Sequence, residues 1–199
     1  FRQNGAVGTI AEPTEMTELW RAEAGKLEIK SRTLYGFGPY AQPVIVNWTT
    51  EMRKAMKLDE SRLNQSAMKE VIIAGQDGKI YFLDLKDGSA IREPINLGYA
   101  MRSTPSLHPL GYPIMTVGQY SNKLPEKTGK TMGLYYFNML DCEQVRLIDG
   151  LDGDRDRQYY NVGAFDTSAL FDRNSNTLIA VGTNGLLYTE KLDTVIYQA

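Results

Sequence analysis

Three times along this chain an apolar run rich in Val and Ile ends in Gly, and a second run follows that carries Tyr toward Leu-Asp. The first copy opens at Gln42-Pro43-Val44 and passes through Val71-Ile72-Ile73-Ala74-Gly75 to Gly78-Lys79-Ile80-Tyr81-Phe82-Leu83-Asp84. The second opens at Thr104-Pro105-Ser106-Leu107. It continues through Ile114-Met115-Thr116-Val117-Gly118 to Gly133-Leu134-Tyr135-Tyr136-Phe137-Asn138-Met139-Leu140-Asp141. The third opens at Thr167-Ser168-Ala169-Leu170 and runs through Leu178-Ile179-Ala180-Val181-Gly182 to Gly185-Leu186-Leu187-Tyr188 and Leu192-Asp193. Short β-branched and aromatic runs bounded by Gly and Asp predict strands. Between Lys79 and Leu85, Ile80, Phe82 and Asp84 alternate with Tyr81, Leu83 and Leu85, so a strand here presents two nearly apolar faces and must be covered on both. Asp77-Gly78 and Asp87-Gly88 supply the positive φ angles of tight turns.

Copies that start about 62 to 63 residues apart predict an all-β fold: a β-propeller of four-stranded antiparallel blades, about three of them in this chain. The period exceeds the roughly 40 to 50 residues of common blades, so loops are inserted. One insertion, residues 49–70, contains strong helix formers with Met52, Met56 and Leu63 at helical spacing and predicts a short helical segment between two strands. The polar stretch 119–132 predicts a second insertion. The expected organisation is a single partial propeller over 1–199, with a blade end at about 1–40 and copies at about 41–102, 103–166 and 167–199. Three blades leave apolar faces uncovered, which calls for further blades from a longer chain or from another chain.

Composition narrows the function classes. With 22 basic and 24 acidic residues in mixed sign and a net charge of -2, the chain has no basic stripe for phosphates, and no nucleic-acid partner is expected. No run reaches the 18 or more apolar residues of a spanning helix. Cys142 is the single cysteine, which excludes an internal disulfide and multi-cysteine metal sites and points to a packing role. His108 is the single histidine, and Leu107-His108-Pro109-Leu110-Gly111-Tyr112-Pro113 predicts a turn between strands rather than a catalytic setting.

The stretch Ala74-Gly75-Gln76-Asp77-Gly78-Lys79-Ile80-Tyr81-Phe82-Leu83-Asp84-Leu85-Lys86-Asp87-Gly88 closely resembles the repeat of the quinoprotein-like, or pyrroloquinoline-quinone-like, bacterial β-propellers. Residues 182–188 match less fully, and the interrupted second copy least. The resemblance spans roughly residues 40–194 and implies the fold more than an activity. Dehydrogenases of that family hold a quinone and calcium at the ring centre. Here Trp20 and Trp48 are the two tryptophans, neither in the docking pattern that such enzymes repeat, and there is no adjacent cysteine pair. Other members are non-catalytic lipoproteins of barrel assembly, extracellular sensor domains and surface proteins, and the resemblance to these implies an extracytoplasmic location.

Asp149, Asp152, Asp154 and Asp156 place four carboxylates within eight residues, as in oxygen-rich calcium loops. Counted from Asp152, the sixth position is Arg157 and the twelfth Gly163, so the glycine turn and bidentate acid of an EF-hand are missing. A solvated loop between blades is the plainer expectation; no cofactor is expected beyond a calcium ion that this loop could hold. Tyr35 and Phe37, and the pair Tyr159-Tyr160, are loop aromatics suited to contacting a sugar or peptide. Asp149 with Asp166 would form an acid and base pair only if they met, and at the start of a copy Asp166 is expected to bond backbone amides. The expected function is a non-catalytic extracytoplasmic binding or scaffold propeller that recognises a protein or glycan partner through rim loops. The alternative is a fragment of a carbohydrate-active or quinone-dependent enzyme.

Overall fold

The structure is a computed structural model that describes residues 17–29, 32–38, 40–120, 132–151 and 163–192. These residues form a mostly β fold of four antiparallel sheets, none closed on itself. A hairpin of β1 (Lys26–Ile29) and β2 (Arg32–Tyr35) precedes the first large sheet. That sheet is a four-stranded meander of β3 (Val44–Asn47), β4 (Lys69–Ala74), β5 (Lys79–Asp84) and β6 (Ile95–Asn96). The second is a meander of β7 (Ser106–Leu107), β8 (Ile114–Gly118), β9 (Gly133–Asn138) and β10 (Glu143–Asp149). The third holds β11 (Leu170–Asp172), β12 (Thr177–Val181) and β13 (Leu187–Lys191). Between β3 and β4 the chain makes the short helices α1 (Thr50–Ala55) and α2 (Glu60–Leu63), as the Met spacing predicts. The Thr49 hydroxyl caps α1 by accepting from the Met52 amide.

The three large sheets are layered, and side-chain alternation sorts each strand between two cores. Ile72, Ala74, Ile80 and Phe82 of the first sheet meet Met115, Val117, Tyr135 and Phe137 of the second in one buried cluster. The other face of the second sheet, Leu134, Tyr136 and Ile148, meets Phe171, Leu178 and Ala180 of the third in a separate cluster. The run Leu134-Tyr135-Tyr136-Phe137 is continuous and apolar because its odd and even residues serve different cores. At roughly 25 cal/mol per Å2 of apolar surface, these interfaces are the main source of order between sheets.

Polar ties reinforce the layering. Glu70, fully buried on β4, accepts from Arg92 Nε (2.8 Å) and Nη2 (2.6 Å) and from Trp48 Nε1 (2.7 Å), while Arg92 Nη1 reaches Met139 O of the second sheet at 2.5 Å. Between the second and third sheets, Glu190 accepts from Tyr136 Oη (2.9 Å) and from Arg146. His108 lies in the predicted turn between β7 and β8. Its Nδ1 accepts from Leu110 N and its Nε2 meets Asn176 Oδ1 at 2.6 Å, so both ring nitrogens are committed to structure.

The hairpin end is tied to the first sheet. Gly25 N donates to Asp77 Oδ2, Phe37 packs edge-on to Tyr81 at 5.2 Å, and Trp20 Nε1 donates to Leu85 O at 2.9 Å. The Trp20 ring also lies on Gly88, where an added Cβ would stand 2.7 Å from it. Gly88 has φ +73, so both its conformation and its missing side chain serve the turn that receives Trp20. This docking of Trp20 onto the Asp87-Gly88 turn was not legible in the sequence, where 65 residues separate Trp20 from its acceptor.

Candidate functional site at the strand entries

The segments that lead into β3, β7 and β11 lie side by side. Gln42 N donates to Thr104 Oγ1 (3.0 Å), 62 residues away, and Thr104 N donates to Ser168 Oγ (2.9 Å), 64 residues away. Ser103 Oγ donates to Gly118 O (2.7 Å) and Thr167 Oγ1 to Val181 O (3.0 Å), which fixes each entry to the end of its own sheet. Gln42, Thr104 and Ser168 therefore occupy one repeat position, and two residues earlier another equivalent set appears: Tyr40, Arg102 and Asp166.

The Arg102 guanidinium sits over two rings, 4.3 Å from the Tyr40 centroid and 3.2 Å from that of Tyr120. Such stacking holds the planar fork while leaving its in-plane N–H groups free to donate. Arg32 Nη2 donates to Tyr120 Oη (3.2 Å), adding a second cation. Among the described residues no carboxylate lies within ion-pair distance of Arg102, and its Nε is buried without a hydrogen-bond partner. Asp166 is half-buried and its Oδ1 likewise has no partner. Burial pushes the Asp166 carboxyl above the usual carboxylate range, and the nearby Arg102 charge offsets this only in part.

Gln119 lies between these segments: Phe165 N donates to Gln119 O (2.9 Å) and Tyr120 N to Ala100 O (2.8 Å). Its side chain is fully buried, and neither amide atom has a hydrogen-bond partner. Buried polar groups are normally paired, and an orphan costs about 1–3 kcal/mol. Three such groups on adjacent segments form the densest polar anomaly among the described residues.

Not all of the site residues expected from sequence are among the described residues. Tyr159, Tyr160, Asp152, Asp154 and Asp156 lie outside the described residues. Asp149 ends β10 and its Oδ1 accepts from Leu151 N (2.7 Å), an ordinary turn bond. Among the described residues no three His, Cys, Asp or Glu side chains come together as a metal site. Tyr35 is exposed at the end of β2, opposite Lys26, whereas Phe37 packs on Tyr81, so the two do not make a common stacking surface. The expectation that Asp166 bonds backbone amides is corrected: the entry is bonded by Ser168 and Thr167, whose hydroxyls sit nearer the strand, and Asp166 Oδ1 is left over. Arg102 and Gln119 were not singled out by sequence. The available signal was the change from Tyr to Arg to Asp at one repeat position.

Cys142 is partly buried beside Arg92, on which Nη1 lies 3.5 Å from its sulfur, and burial raises its thiol above the ordinary range despite that cation. With Lys57, Asp59, Glu93 and Asp141 it lines a cleft of about 340 Å3. A raised thiol pKa is that of a packing cysteine rather than a nucleophile.

Neither a known protein family nor a curated protein matches the chain. Among solved structures, the crystal structure of the computationally designed Ika4 protein is similar at 12% identity and a TM-score of 0.40, over 89% of this chain and 99% of that one. Among the described residues no helix is long and apolar enough to cross a membrane.

Proposed function

We propose that the chain is part of a quinoprotein-like β-propeller that serves as a non-catalytic, extracytoplasmic binding or scaffold module for a protein or glycan partner. The observation that carries this is the outer face of the third sheet. In repeat register, Ile72, Ala74 and Ile80 of the first sheet correspond to Ile179, Val181 and Leu187 of the third. The former are buried under the second sheet, whereas Leu187 and Leu170 are 65% and 60% exposed. A face built like one that takes a neighbouring sheet, yet bare, supports a ring completed by further blades. The opposite end differs: β1 and β2 turn Lys26, Glu28, Thr33 and Tyr35 outward, a polar surface.

The test is the mass of the folded particle by light scattering, for the wild type and for Val181→Arg with Leu187→Arg. The expected result is a particle of at least twice the 22.4 kDa chain mass that the double variant reduces to one chain. A stable, soluble wild-type monomer overturns the reading.

A further inference from the structure

We infer that the groove between the second and third sheets, with Tyr136 and Val145 on its apolar side and Arg146 and Lys191 as its cations, binds the C-terminal residue of a protein partner. The inference deepens the binding function proposed above and rests on it. The groove has a volume of about 510 Å3 and lies where Arg146 of β10 meets Glu190 of β13. Its apolar lining is Ile114, Tyr136, Val145 and Leu192. Val145 reaches it because β10 is bulged: Gln144 pairs with Phe137 and Arg146 with Tyr136, which leaves Val145 without a partner on β9. Neighbours on an unbroken strand face opposite sides, yet Val145 and Arg146 both line the groove. Bulges re-aim side chains, and this one sets a 59% exposed valine beside a guanidinium.

The charges of the lining select the ligand. Glu190 is already satisfied: it accepts from Tyr136 Oη at 2.9 Å, from Arg146 Nε at 3.0 Å and from Arg146 Nη2 at 2.5 Å. This side-on pair fixes the guanidinium plane and leaves Arg146 Nη1 to donate elsewhere. Lys191 lines the same groove, and among the described residues it belongs to no ion pair. With Glu190 set against Arg146, the positive charge of Lys191 is left over beside apolar surface. The matching group is a carboxylate with an apolar branch on the adjoining carbon. A C-terminal Leu, Val or Phe carries both on one Cα, whereas an internal residue offers an amide in place of the charge. The exposed rim at Val145 and Arg146 suits a chain end over a small molecule, because small-molecule sites bury most of the ligand surface.

Isothermal titration with the peptide acetyl-Gly-Gly-Phe as its free acid, with its C-terminal amide and with phenylpropionate tests the inference. The free acid is expected to bind, and the amide to bind about tenfold or more weakly, because charge-assisted contacts to the carboxylate are lost. Arg146→Gln, on a side chain 58% exposed, is expected to weaken the acid by about the same factor. Lys191→Glu places a like charge beside the carboxylate and is expected to abolish binding; it decides the matter if Arg146→Gln does not fold. Lys57→Gln, exposed and outside the groove, is expected to change nothing. No heat from the acid, equal affinity for acid and amide, or wild-type affinity in a folded Arg146→Gln or Lys191→Glu protein overturns the site. Phenylpropionate binding as tightly as the peptide overturns the assignment to a chain end. The titration is independent of particle mass, so a monomer that binds the acid removes the ring and leaves the groove, and a larger particle that binds nothing removes the groove alone.

Discussion

Replacing Arg92 by Met leaves Glu70 fully buried, with Trp48 Nε1 as its remaining donor in place of three contacts at 2.6–2.8 Å. Burial by itself lowers the Arg92 pKa, but the hydrogen bond and charge of Glu70 carry it above the ordinary guanidinium value, as expected of a cation held by its carboxylate. Removing one partner of a buried pair costs about 3–5 kcal/mol, mostly for the stranded charge. Arg92 also donates to Met139 O and lies 5.0 Å from the Phe82 ring, so the loss also loosens the junction of the first two sheets. For a chain of this size, about 2–4 °C of Tm per kcal/mol gives a fall of roughly 6–20 °C. Arg92→Met with Glu70→Leu removes both charges and is expected to recover at least half of that loss. The assay is thermal and urea unfolding followed by circular dichroism for both single variants and the pair, read as a double-mutant cycle. A fall below about 1 kcal/mol for Arg92→Met, or a double variant that loses the sum of the two singles, refutes the stranded-charge argument.

Gly88→Ala forces a Cβ against Trp20 at positive φ and is expected to cost about 1–3 kcal/mol, with a red shift of tryptophan emission as the ring leaves the turn; an unchanged spectrum and Tm would count against the docking. Tyr81 has its phenol pushed up to about 12, chiefly by burial and then by its bond to Asp77. A raised folded pKa contributes stability below the unfolded value of about 10 that is lost as pH rises through about 12, so alkaline unfolding in this window should be shallower in Tyr81→Phe than in the wild type. Asp166→Asn should raise Tm near pH 7, where burial on folding works against the charged form of the wild-type carboxyl. The difference should shrink as pH falls through the unfolded carboxyl value of about 3.9 and be gone about one pH unit lower, where Asp166 is protonated in both states. A constant difference across that range would place the effect in packing instead of charge.

Much of the strand plan was legible because period-2 and continuous apolar runs report how many faces of a strand are covered. The runs at 71–74, 79–84, 114–118, 133–138 and 178–181 all became strands, and Met52 and Met56 marked the helical insertion. Turn chemistry was equally local, since Gly78 and Gly88 adopt the positive φ that Asp-Gly implies. The candidate site was not legible. Its carboxyl and guanidinium are 64 residues apart in the chain, and neither belongs to a motif, because what distinguishes them is the lack of a partner after folding.

The amino-acid sequence by itself determined the all-β character, the repeat that sets which strands form and the turns that join them, because these depend on side-chain alternation and backbone preference over a few residues. Only the tertiary structure decided which faces are buried between sheets, that Trp20 belongs to Gly88, that Glu70 and Arg92 form one buried unit, and that Arg102 Nε and Asp166 Oδ1 are buried without partners. Those outcomes depend on which distant segments share a low-dielectric interior, and a linear pattern of polar and apolar residues carries no record of that distance.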